Sequence, residues 1–405
     1  MTTILSGGRV VLLEFVLERA SLVVDDDGRI AEVYAGPIPR TSAAAWHDMT
    51  NRLIVPGFID VHVHGVEGLD ALASADGVAR IARRLPRYGV TGFCPTSVAC
   101  PPGDLRRMLD GIRAARHSPI PHAARVLPAH LESNFINPEY RGAQPVVCLR
   151  RPTADVLPGV PDRPAFSGQE ILDEIARARP EVGIVTMAPE LDGGLDLASS
   201  LTAAGHIVSL GHSAATYEQG LAGVAAGGRH ATHLFNRMPP FSHRAPGLVG
   251  AVLDRREVRA EIVCDGYHVH PVVARTAIAA LGPDRAMAIT DGTGGAGLPV
   301  GTSVRLGSHT ITVRPEAAFL ADGTLAGSTL TMDGAFRLLV HKVGLPVPAA
   351  ARLCATTPAS QLGLTDRGRI EAGQIADLAI LDGYLRAVAT FIGGVPWEKE
   401  EVGGG

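Results

Sequence analysis

The stretch Pro56-Gly57-Phe58-Ile59-Asp60-Val61-His62-Val63-His64-Gly65 decides how this chain is read. Side chains two apart on a strand share a face. A strand over 58–64 therefore sets His62 and His64 side by side as it ends, within reach of one metal ion. An apolar run leading into His-x-His and glycine fits a parallel-barrel strand, whose functional groups gather at its carboxyl end. Working outward, runs of β-formers ending in polar or charged residues recur at 90–97, 125–132, 183–190, 206–212, 230–235, 259–265 and 286–291. With 58–64 they make eight candidate strands. Stretches of helical period separate most of them, among them 75–88, 105–117, 172–179, 195–204 and 271–281. Strand–helix alternation predicts an α/β fold with a parallel sheet, and eight repeats predict closure into a TIM-type (β/α)8 barrel.

Both flanks read differently. Short strand patterns at 10–24, 29–35, 378–381 and 387–392 are broken by Gly, Pro and the turn sequences Asp25-Asp26-Asp27-Gly28 and Asp382-Gly383. They predict a small β-sandwich built from both chain ends. The expected division is 1–54 and 358–405 for the sandwich and 55–357 for the barrel. Residues 304–313 either join the sandwich or form a local insertion, and 402–405 read as a frayed tail.

A length of 405 residues suffices for one large barrel and a satellite, since such barrels run to about 250 residues. With 46% hydrophobic residues, 19% charged and a net charge of -4, the chain offers no basic surface for nucleic acid and no acidic tail. A small-molecule substrate is expected. The first residues lack a signal-peptide pattern, and no apolar run approaches the ~20 residues of a membrane span, so the expected location is the cytoplasm, away from membranes. The five cysteines are odd in number, spread out and contain no Cys-x-x-Cys pair, which predicts reduced core thiols.

The ends of the eight candidate strands collect His62, His64, Glu132, His212, His233 and Asp291. These donors suit Zn2+ or Fe2+, one or two ions per subunit. A single histidine is more often structural than ligating. Five ligating residues and a closing aspartate at equivalent ends of separate strands favour a metal site. The two lysines, Lys342 and Lys399, lie beyond the eighth strand, which excludes a carboxylated lysine bridge and leaves Glu132 as the candidate to span two ions. A divalent ion can lower the pKa of its water from about 16 to about 7. Asp291, in Thr290-Asp291-Gly292, is then placed to take that water's proton and pass it to a leaving amine.

At this point the chain resembles the N-acetylglucosamine-6-phosphate deacetylase family of the amidohydrolase superfamily, over nearly its whole length. Besides the opening stretch, the resemblance rests on His130-Leu131-Glu132, Leu210-Gly211-His212-Ser213, Ala231-Thr232-His233-Leu234-Phe235-Asn236 and His243-Arg244-Ala245-Pro246-Gly247. Asp265-Gly266-Tyr267-His268, Thr290-Asp291 and Leu325-Ala326-Gly327-Ser328 complete it. It implies that Glu132, His212 and His233 bind the principal metal, that His62 and His64 complete a second site, and that Asp291 is the acid/base. It further implies that His268 contacts the sugar or the scissile carbonyl, that Asn236 borders the phosphate, and that Arg244 reaches the phosphate from a neighbouring subunit of a homodimer.

The chain departs from the family pattern in places. Ser133-Asn134 replaces Gly-Pro, which suggests a more polar, less constrained loop rim. Gln144, after Ala143, stands where a substrate-contacting histidine is usual, and Arg237 replaces a small residue; all three are expected to border the substrate. The run Gly292-Thr293-Gly294-Gly295-Ala296-Gly297 reads as a flexible lid. The expected reaction is hydrolysis of N-acetylglucosamine 6-phosphate to glucosamine 6-phosphate and acetate. Its alternatives are deacetylation of a different N-acetyl amino sugar or aminocyclitol, phosphorylated or not, in a specialised pathway, and a non-catalytic ligand-binding barrel.

Overall fold

A computed structural model describes residues 2–42, 44–152, 166–315 and 317–397; the tail at 402–405 lies outside them. All eight anticipated strands are present: β1 (Phe58–Val63), β2 (Val90–Ser97), β3 (Ala129–Glu132), β4 (Val182–Met187), β5 (Ile207–Leu210), β6 (Gly228–Ala231), β7 (Arg259–Val263) and β8 (Ala286–Ile289). Each pairs parallel with its neighbour from β1 through β8. Between β8 and β1 the ring closes by bonds at its mouth rather than by a full ladder. Asp291 N donates to His62 O at 3.0 Å, and the amides of His64 and Gly65 donate to Gly292 O at 2.8 and 3.0 Å. Below them Thr290 Oγ1 donates to the buried Asp60 carboxylate at 2.5 Å. Burial pushes the Asp60 carboxyl up to about 7, against the pull of the Thr290 hydrogen bond.

Several strands end earlier than their sequence suggests. The expected strand 125–132 is interrupted before Ala129, leaving Arg125–Val126 as a separate pairing on β2; Pro128 lies in the gap and has no N–H to give a ladder. β5, β6 and β8 stop before the residues predicted to do chemistry. His212, His233 and Asp291 follow them with φ of 47°, 30° and 49°, a left-handed backbone that leaves the ladder and turns each side chain across the mouth. Such conformations in residues other than glycine cost of order 1–3 kcal/mol and cluster at functional sites.

Ile59, Val61, Cys94, Ile184, Val263 and Ile289, from five of the barrel strands, form one buried apolar cluster; a larger one packs the strands against the surrounding helices. Two of the helices begin at reciprocal side-chain caps. Ser167 with Glu170 and Thr216 with Gln219 form capping boxes at Gly168–Arg177 and Tyr217–Ala225. Among the described residues no helix is long and apolar enough to cross a membrane.

The chain ends meet in one eight-stranded sheet, where Leu378–Leu381 pairs antiparallel with Leu53–Pro56 and that strand lies beside Thr3–Val11. Leu5, Val10, Leu22, Ile30, Ile54, Ile380 and Phe391 give this domain its own core. Ser303–Leu306, His309–Val313 and Ala318–Phe319 form a separate three-stranded sheet, so the segment at 304–313 is a local insertion.

The glycine-rich run after Asp291 is not a lid. Residues 292–296 are buried, and the carbonyls of Gly294 and Ala296 accept from Gly68 N at 2.7 Å and Glu67 N at 2.9 Å. Glycine serves close approach there: a Cβ on Gly65 would stand 2.0 Å from Leu69 O and 2.9 Å from Gly294 N.

Candidate metal centre and active site

Glu132, the last residue of β3, meets His212 and His233 beyond β5 and β6. Glu132 Oε1 lies 2.8 Å from the Nε2 of each histidine, and the two Nε2 atoms are 3.0 Å apart. His212 Nδ1 is engaged by Tyr140 O at 2.8 Å, which leaves Nε2 for the centre. A tetrahedral ion with ligands at ~2.0–2.1 Å spaces their donor atoms about 3.3 Å apart. The trio is slightly tighter than that and needs little movement to admit an ion. All three side chains are buried, and burial of converging lone pairs without a cation is unfavourable. The residues fit a divalent metal.

A second pair adjoins it. His62 and His64 bring their Nε2 atoms to 3.3 Å, with Asp291 Oδ1 3.5 and 3.3 Å away respectively. Glu132 stands between pair and trio, its Oε1 3.8 Å from His62 Nε2 and its Oε2 3.5 Å from His64 Nε2. Burial alone would raise the Glu132 carboxyl; the neighbouring His212 and His233 more than reverse this and hold it well below the usual carboxylate range. Asp291 behaves alike, with burial opposed by His62 and His64 and the net direction downward. These histidines therefore favour the carboxylate form of Asp291.

The other anticipated residues divide into two groups. Ala143, Gln144, Asn236, Arg237 and His268 border the same cavity, which measures ≈ 50 Å³. His268 Nδ1 bonds Asp265 Oδ2 at 2.6 Å, which fixes the ring. Asn236 Nδ2 turns back to His233 O at 3.2 Å. Gln144 is spent differently from a residue waiting for substrate: its amide donates to Glu132 Oε2 while its carbonyl accepts from Ala99 N at 2.7 Å. Arg237 is half-buried, and its guanidinium has no hydrogen-bond or ion-pair partner among the described residues. Burial and the nearby Arg141 lower its pKa. Arg244 is exposed and does not line the cavity of its own chain.

Ser133 and Asn134 do not form a polar rim. Both are buried, where Ser133 Oγ donates to Thr186 O at 2.5 Å and Asn134 Nδ2 donates to the carbonyls of Cys100 and Cys148 at 2.9 and 2.7 Å. They pin the loop instead of loosening it. The five cysteines are free and buried.

Sequence reasoning overlooked Glu261, in the middle of β7 and wholly buried. Its signal was a lone carboxylate in the apolar run Ala260-Glu261-Ile262-Val263. A wider cavity of ≈ 770 Å³ opens near the first residues of β4 and β5. Of its four arginines, Arg116, Arg125 and Arg367 are paired with Glu181 and Asp377 and Arg179 donates to Ala204 O.

Residues 53–396 match the profile of the amidohydrolase family. A rat N-acetylglucosamine-6-phosphate deacetylase is 36% identical over 414 residues, covering 99% of this chain and 95% of its own. The Bacillus subtilis protein of the same name is 32% identical, covering 91% and 90%. Among solved structures, a mutant N-acetyl-D-glucosamine-6-phosphate deacetylase from Mycobacterium smegmatis, in complex with N-acetyl-D-glucosamine-6-phosphate, superposes with a TM-score of 0.86 at 32% identity over 98% of this chain and 99% of that one. Likeness of this extent, with the donors gathered at one mouth, makes the chain a member of the amidohydrolase family and of its N-acetylglucosamine-6-phosphate deacetylase branch.

Proposed function

We infer that this chain is a metal-dependent hydrolase of a linear amide, converting N-acetylglucosamine 6-phosphate and water to glucosamine 6-phosphate and acetate. The observation that carries this reading is the joining of the Glu132, His212 and His233 trio with Asp291 in one cavity, in a chain aligned end to end with relatives of that name. Glu132, His212 and His233 would hold the principal ion, and His62 with His64 a second. Their nitrogen and oxygen donors suit Zn2+ or Fe2+. When bound, such an ion supplies a Lewis acid for the acetyl carbonyl and acidifies a water molecule.

Asp291 accepts the water's proton at a carboxylate oxygen. It returns that proton to the sugar nitrogen as the C–N bond breaks, so acid and base are one residue. His268, fixed by Asp265, presents its other ring nitrogen to the substrate. Arg237 and Asn236 face the phosphate end, where an unpaired guanidinium offers a planar fork for phosphate oxygens. With ≈ 50 Å³ between these groups, substrate entry requires Arg237 or the segment 142–144 to yield. Arg244 contributes from the partner in a homodimer, and the cytoplasm is the expected compartment.

Acetate release by purified protein supplied with Zn2+ or Fe2+, measured on N-acetylglucosamine 6-phosphate and on the free sugar, tests the reading. Strong preference for the phosphorylated sugar is expected. Preference for the free sugar would remove the phosphate assignment, and no release from either would remove the activity.

A further inference from the structure

Glu261 is fully buried, and nothing in the proposed chemistry employs it. Both of its carboxylate oxygens are nonetheless occupied. Oε2 accepts from His62 Nδ1 at 2.9 Å and from the backbone N–H of His233 at 3.1 Å. Oε1 lies 2.9 Å from His230 Nε2 and 3.4 Å from His130 Nδ1. The backbone carbonyl of Glu261 also accepts from Leu234 N at 2.8 Å. One residue thus holds an imidazole of the His62 and His64 pair and the backbone of a member of the Glu132, His212 and His233 trio.

Each contact has a geometric result. Donating Nδ1–H to Glu261 obliges His62 to present its Nε2 lone pair, and that atom faces His64, Glu132 and Asp291. A carboxylate behind a ligating histidine fixes ring and tautomer and strengthens the ligand. At His233, φ is 30°, a backbone that persists only where surroundings over-determine it. Bonds from His233 N and Leu234 N to Glu261 grip this residue on both sides.

We propose that Glu261 is the positioning residue of the metal centre, a single carboxylate that orients both ligand groups and so couples their occupancy. The inference rests on the reading of these histidines as metal ligands. Glu261 does not line the cavity and acts on it through His62 and His233. Glutamine is a poor substitute: with its carbonyl at the Oε2 position its NH2 would face His230 Nε2 and His130 Nδ1, turned about it would confront both His62 Nδ1–H and His233 N–H, and in either setting the negative charge behind His62 is gone.

The test strips purified full-length protein of metal and titrates Zn2+ against a chromogenic chelator for the parent, Glu261→Gln and Glu261→Asp, with far-UV spectra and melts of each metal-free protein. Folded Glu261→Gln is expected to bind Zn2+ about 10–100-fold more weakly than the parent, with both equivalents affected where two bind. Glu261→Asp, which keeps the charge, should recover part of the loss. A carboxylate that only supports the core would lower the melting temperature and leave Zn2+ affinity at the parental value, which overturns the proposal. If Glu261→Gln does not fold, the affinity of Glu261→Asp decides: parental affinity refutes the proposal and weakened affinity supports it. Failure of both to fold makes Glu261 a core residue and overturns it as well. A parent that binds no Zn2+ tightly overturns the metal reading itself, a distinct outcome.

Discussion

Replacing Asp291 by asparagine separates the chemical role of this residue from its structural one. The backbone there is secured independently of the side chain, by Asp291 N on His62 O at 3.0 Å and Ser328 N on Asp291 O at 2.8 Å. Its φ of 49° is one that asparagine tolerates better than most residues, so the substitution adds little strain. An alanine there would add a further ~1–2 kcal/mol from the left-handed conformation. The asparagine amide fills the place of the carboxylate beside His64, 3.3 Å away in the parent, and Glu132, His212 and His233 keep their mutual contacts. What is lost is a proton acceptor that later becomes a donor. General acid–base catalysis contributes about 10²–10⁴-fold, so kcat should fall by that factor, or about 2.7–5.4 kcal/mol in barrier. The assay pairs acetate release with elemental analysis and a thermal melt. A variant with parental metal content, a melting temperature within about 3 °C and turnover within threefold of the parent would refute the assignment.

Arg237→Ala should raise KM for the phosphorylated sugar about 10-fold or more, as expected for losing a charge-assisted hydrogen bond, with kcat nearly unchanged; an equal rise for the free sugar would count against a phosphate contact. Asn134→Ala removes the donor shared by Cys100 O and Cys148 O and should destabilise the protein by about 2–4 kcal/mol, read from the urea midpoint; no shift would show that the loop does not depend on this amide. Glu174 ties two helices through Arg106 Nε at 3.0 Å and Arg177 Nε at 2.8 Å, and the Arg106 hydrogen bond, against burial and with Arg177, lowers its pKa from 4.5. A depressed carboxyl stabilises fully above its unfolded value and loses that contribution as pH falls through the folded value. Glu174→Gln should therefore lose about 1 kcal/mol at pH 7, modest because Arg106 is largely solvated. Melts across pH should show this gap closing below 4.5, and a gap independent of pH would exclude the ion pairs as its source.

The barrel was legible because its signal repeats: each strand is a run of β-formers ended by a polar residue, and chance does not repeat that eight times. The metal donors were legible for the same reason, lying at or just past those strand ends. Exact strand ends were not, since the left-handed turns at His212, His233 and Asp291 are imposed by tertiary contacts that no local propensity announces. Glycines 292–297 misled because composition does not distinguish a glycine kept for mobility from one kept for close approach. Ser133 and Asn134 misled because their acceptors, Thr186 O, Cys100 O and Cys148 O, lie 53, 34 and 14 residues away. Glu261 was hidden by distance too, its partners His62 and His230 being 199 and 31 residues off.

The join between β8 and β1 places His62 and His64 on one side and Asp291 on the other, where a few amide bonds and the Asp60–Thr290 contact replace a full ladder. A cation seated there would act as a clasp across the join of the ring that has no strand ladder. Mechanical integrity and chemical competence would then be a single property of the molecule: a barrel sprung open at this joint loses its reagents, and one emptied of its ion loses its fastening.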